Sequence, residues 1–114
     1  MIETVLTYNV NNELLEKVSS KTEQNKDISY KPLPHLQELS TEITTETKRV
    51  IIFFDSLEIS DQLLKQLKIV RNPLEIFIIL QDEIDELQIK ILLLKIKESN
   101  NKIAIITAKL SEFS

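Results

Sequence analysis

No glycine occurs among the 114 residues of this chain. At an average usage of about 7%, roughly eight would be expected. Glycine supplies backbone with φ > 0 and lets the main chain approach a ligand closely. Its absence removes a group of functions at once, because the P-loop, the dinucleotide-binding turn and the nucleophile elbow are each written in glycines. A protein that binds another protein suits such a chain better than one that cradles a small molecule. No small-molecule ligand and no cofactor is expected.

Composition narrows the field further. The length is that of one domain, residues 1–114. Apolar residues make up 42%, enough for a sizeable core, and charged residues 28%. A net charge of −4 gives no reason to expect nucleic acid or a membrane surface as partner. Without cysteine there is no disulfide, thiol nucleophile or thiolate metal site. The start, MIETVLTYNV, lacks the pattern of a signal peptide, and the apolar runs are too short to span a bilayer. A cytoplasmic protein is expected.

Strands and helices alternate along the chain. Thr4–Tyr8 is short and β-branched and reads as a strand. Asn11 or Asn12 caps a helix over Asn12–Lys21, and TEQNKD is a loop. Ile28–Leu33 is a strand that Pro32 and Pro34 confine to an edge. Leu36, Leu39 and Ile43 predict a helix continuing through TEITTETK. Arg49–Asp55 has the unbroken apolar centre of a strand covered on both faces. Ser60 caps the next helix, which carries Leu63, Leu64 and Leu67, and Asn72-Pro73 stops it. LEIFIIL is a second buried strand, Glu83–Glu98 a helix and KIAIITA the last strand. QIKILLLKI is open to a second reading, as a strand in a hairpin with KIAIITAKL. Such alternation implies an α/β fold with a mostly parallel sheet and right-handed helical crossovers.

In an open parallel sheet, chemistry sits at the carboxyl ends of the strands. VIIFFDSLEISDQLLKQLKI runs from an apolar strand into Asp55 and then a leucine-rich helix; ITAKLSEF ends the last strand on Lys109. Both resemble the receiver domain of two-component response regulators, which implies an α/β fold with an open parallel five-stranded sheet in the flavodoxin-like order 2-1-3-4-5. The resemblance implies that Asp55 stands at the phosphoacceptor position and Lys109 at that of the lysine contacting the phosphoryl group. Two further parts of the pattern are not matched. Tyr8 and Asn9 stand where the family carries an acidic pair, and Leu80 and Gln81 where it carries a hydroxyl residue. Mg²⁺ wants hard oxygen ligands, usually one or two carboxylates. Asp55 and Lys109 are therefore expected to form a vestigial phosphoacceptor-type site, in an atypical domain that regulates through protein–protein contact rather than catalysis. The absence of glycine agrees, since that family usually places glycine in its active-site loop and before its last strand.

Two further expectations concern association. In the helix over 83–98, Ile84, Leu87, Ile91 and Leu94 form one apolar stripe suited to covering the sheet. Ile89, Leu92, Leu93 and Ile96 form a second, expected to be an interaction surface. The chain reaches Ser111–Ser114 where the receiver's fifth helix would begin, so that helix is expected to be missing or supplied by a partner, with a homodimer the simplest case. An unrelated α/β subunit of a larger assembly is the alternative. An enzyme with a site at the strand ends is a third class, which fold alone does not decide. His35, the only histidine, has no second histidine or cysteine to make a metal site, and reads as structural.

Overall fold

The computed structural model describes residues 3–22 and 28–113. Five strands form a single sheet: β1 (Glu3–Tyr8), β2 (Ile28–Leu33), β3 (Thr47–Phe54), β4 (Leu74–Leu80) and β5 (Ile103–Lys109). Their order is β2-β1-β3-β4-β5 and all pairings are parallel. This is the open α/β sheet expected, consistent with a flavodoxin-like fold. The helices are α1 (Asn12–Thr22), the short α2 (Leu39–Glu42), α3 (Glu58–Leu67) and α4 (Glu86–Ser99). A 3₁₀ turn at Leu36–Glu38 precedes α2, and another at Leu110–Phe113 follows β5. Residues 23–27, most of the expected loop TEQNKD, lie outside the described residues.

The two faces of the sheet are covered unequally, and strand order explains why. Right-handed crossovers that travel in opposite directions along a sheet lie on opposite faces. Only β1-to-β2 travels one way; the other three connections travel the other way. So α1 covers one face, with Leu14 and Val18 packed on Val5, Ile51 and Ile79. The 3₁₀ turn, α2, α3 and α4 cover the other, where Leu36, Leu39, Leu63 and Ile96 close over Leu6, Ile52, Phe54, Ile76 and Ile78. On the α1 face the cover thins toward β5. Ile106 is 48% exposed, Ala104 is exposed, and Phe53 and Phe77 are half-buried.

Two local expectations are corrected, and one open choice is decided. The helix from His35 does not continue through TEITTETK; Ile43 is already extended, and β3 begins at Thr47. Threonine side chains offer the backbone a competing set of hydrogen bonds. Here the Thr44 N–H donates to Thr47 Oγ1 (3.1 Å), and Thr44 Oγ1 accepts from the Glu46 N–H (3.2 Å). Ser60 is not the cap of α3 but lies within its first turn, and its hydroxyl donates back to the Leu57 carbonyl at 2.6 Å. Residues 88–96 are helical, which closes the hairpin alternative.

Candidate functional site

Asparagine shapes the carboxyl end of the sheet. Asn9, directly after β1, has φ of 62°, the single positive value among the described residues. Asparagine tolerates that region better than most side chains. Its Nδ2 donates to the Phe53 carbonyl at 3.1 Å, tying the end of β1 to the end of β3. Asn11 Oδ1 accepts from the Leu14 N–H at 2.7 Å and so caps α1. The next carbonyl of β3, on Phe54, accepts from the Gln81 N–H at 3.0 Å.

A cleft of about 870 Å³ opens at these strand ends on the α1 face. Asn9, Asn11, Glu13, Lys17, Asp82 and Ser111 supply its polar groups, and Phe53, Leu14, Val10 and Leu110 its apolar wall. Asp82 Oδ1 accepts from the Ser111 N–H at 3.2 Å, joining the loop after β4 to the turn after β5. Lys17 pairs with Glu13 at 3.7 Å. Two carboxylates against one ammonium make this cleft unsuited to an anion.

Neither residue of the expected site lines that cleft. Asp55 is exposed just past β3 and forms no hydrogen bond or ion pair with another described residue. Lys109 is the last residue of β5, and β4 lies between it and β3, a spread of roughly 10 Å across two strand spacings. Its ammonium turns to the α4 face and pairs with Glu86, the first residue of α4. That hydrogen bond, with the charge behind it, holds the Glu86 carboxyl below its usual range and raises the Lys109 ammonium. The structure thus does not bring Asp55 and Lys109 together as a pair. Tyr8 is half-buried against the core, so the end of β1 presents an amide and a phenol side chain rather than carboxylates.

The interaction surface expected on α4 is corrected. Ile89, Leu92 and Ile96 are 2%, 5% and 0% exposed, and Leu93 is partly buried. They are the core-facing side of the helix. The stripe expected to cover the sheet is largely the outer one, with Leu87, Ile91 and Leu94 at 62%, 40% and 65% exposure, while Ile84 packs on the core. The helix is apolar on both sides, so periodicity reveals two stripes but not which one faces inward. Asp85 caps α4, its carboxylate accepting from the Leu87 N–H at 2.9 Å, and Leu87 lies outward. His35 is exposed, and among the described residues no group of three or more His, Cys, Asp or Glu is placed to hold a metal ion. No helix among them is long and apolar enough to cross a membrane.

Comparison with protein-family models, with curated proteins and with solved structures finds no match in any of the three.

Proposed function

We propose that this chain is a regulatory protein–protein interaction domain, receiver-like in plan, that works by docking and is not switched by phosphorylation at Asp55. One observation carries the reading: apolar side chains stand exposed on a thinly covered sheet face at Ile106 and along α4 at Leu87, Ile91 and Leu94. Burying one such side chain contributes about 1.5–3 kcal/mol, so a partner that covers several has a substantial driving force. The strand-end chemistry supports the second half of the proposal. Phosphoryl transfer to an aspartate needs cationic compensation for the developing charge. Lys109 is engaged by Glu86, and the adjacent cleft is lined by Glu13 and Asp82.

Light scattering tests the first half. A mass above the 13.2 kDa of one chain is expected, returning to one chain in Ile106→Lys. A wild-type monomer up to millimolar concentration contradicts it. Beryllofluoride with Mg²⁺ tests the second half, and amide NMR shifts around Asp55 are expected to stay in place.

A second reading is a structural subunit of a larger assembly. The placement of exposed apolar groups on both sides of the sheet favours it, since that suits a chain held between two neighbours. Purification of a complex with fixed stoichiometry, from which the isolated chain is insoluble, would select this reading over the first.

A further inference from the structure

Strand β5 is an edge of the sheet, and its outer side is a row of open backbone groups. The Leu74 N–H donates to the Lys102 carbonyl, which sets the peptide groups of Lys102, Ala104 and Ile106 toward β4. Those of Ile105 and Thr107 therefore face outward. The ends of this row are closed: the Ile103 N–H is taken by the Asn100 carbonyl and the Lys109 N–H by Glu112 Oε1. What stays open is a central stretch with two donors, long enough to pair one short strand.

Beside this stretch, α4 and β5 enclose an apolar groove of about 620 Å³ floored by Leu93, Leu94 and Ile105. Lys97 stands at its Ile103 end, and Lys90 toward Thr107, where the Lys109–Glu86 pair and Glu112 also lie. Neither lysine forms an ion pair with a described residue. They lie seven residues apart on α4, about 10 Å along the helix. Two residues of an added strand on one face, four positions apart, span about 13 Å. Glutamate side chains at those positions reach both ammonium groups, and the residue between them seats an apolar side chain in the groove.

We infer that the β5 edge takes an extended acidic–apolar segment of a partner protein, of the pattern Glu-x-Leu-x-Glu, by strand addition. This deepens the docking function proposed above and rests on it. The charge pattern selects the occupant. A second copy pairing β5 to β5 about a two-fold axis would set the two α4 helices side by side and bring Lys90 of one against Lys97 of the other, a like-charge contact. An acidic strand makes the opposite contact at both lysines.

The test is a fluorescence polarisation titration with labelled Ser-Glu-Val-Leu-Val-Glu-Ser and its Glu→Lys counterpart. The acidic peptide is expected to bind at least tenfold tighter than the basic one and to slow amide exchange at Ile105 and Thr107. Lys90→Glu/Lys97→Glu, two exposed changes, is expected to invert that preference. Thr107→Pro removes an outward donor that β4 does not use and is expected to weaken binding at least tenfold with the circular dichroism spectrum unchanged. Equal affinity for the two peptides, or exchange at Ile105 and Thr107 that the peptide does not alter, overturns the site. So does a wild-type dimer that Thr107→Pro dissociates, which assigns the edge to a second copy. A dimer sensitive to Ile106→Lys with no peptide binding overturns this site and leaves the docking function standing. A beryllofluoride response at Asp55 overturns the unswitched reading without altering the peptide titration.

Discussion

Asparagine does here what glycine does in most chains. Asn9 enters the left-handed region, and Asn100 closes the helix end opposite, its Nδ2 donating to the Leu67 and Val70 carbonyls at 3.1 and 2.6 Å. Left-handed backbone costs a side chain with Cβ roughly 1–2 kcal/mol, and asparagine less because its amide finds local partners. Asn9→Ala is therefore expected to lower stability by about 1–2 kcal/mol in urea denaturation, and Asn9→Gly by clearly less, since glycine loses the amide bond but not the conformation. Equal losses for the two would show that φ at this position is not what matters. The Lys109–Glu86 pair makes a second residue-scale prediction. The folded state lowers the Glu86 pKa, so the carboxylate's contribution is complete above the ordinary glutamate range and is lost as pH falls through the lowered value. Lys109 is raised, so its contribution is complete below the ordinary lysine pKa and is lost as pH rises through the raised value. The difference in urea midpoint between wild type and Glu86→Gln should be level from about pH 5 to about pH 10 and shrink on both sides. Glu86 is exposed and Lys109 only partly covered, so the amplitude will be small, and a difference that ignores pH would exclude the pair as its source. Nothing in the sequence near Lys109 named this partner. Glu86 is 23 positions away, and the contact depends on how β5 and α4 are placed side by side.

Elements were legible where burial imposes one pattern. β3 and β4 are central strands with helices on both faces, which demands the apolar runs VIIFF and IFIIL, and both strands lie where those runs predict. The helix after β2 was legible at its start but not at its end, because threonine hydroxyls offer hydrogen bonds whose outcome depends on Thr47 reaching the sheet. α4 was legible as an element but not in its rotation. Its inward residues Ile89, Leu92 and Ile96 and its outward residues Leu87, Ile91 and Leu94 differ in surroundings, not in chemistry. That assignment can be measured. Ile96→Ala is expected to cost about 2–5 kcal/mol in urea unfolding, as for other fully buried truncations. Leu94→Ala should stay within about 0.5 kcal/mol. Similar values for the two would mean that α4 is rotated from the orientation described here.

For the molecule as a whole, strand order governs both stability and exposure. β1, β3 and β4 have a strand on each side, while β2 and β5 have one free edge. Native-state hydrogen exchange should be slowest in β3 and β4 and markedly faster in β5, whose outer donors are open. Uniform protection across the five strands would contradict that gradient. The parallel sheet was legible from the alternation of elements, because right-handed crossovers leave few arrangements, and its order was expected from the receiver-like cadence of the strands. The candidate site was less so, because Asp55 and Lys109 are placed by the strand ends but their contacts are set by loops and by α4. The single left-handed residue has one more consequence, which lies in the denatured chain. Among the described residues the native backbone needs φ > 0 once, so every other position keeps a Cβ without conformational cost. A chain with no glycine also has fewer conformations open to it when unfolded, and each glycine introduced at a compatible position would widen that ensemble by about 0.4–1 kcal/mol of lost stability. Part of what holds this fold is thus no contact within it, but the narrowness of the disordered state it leaves behind.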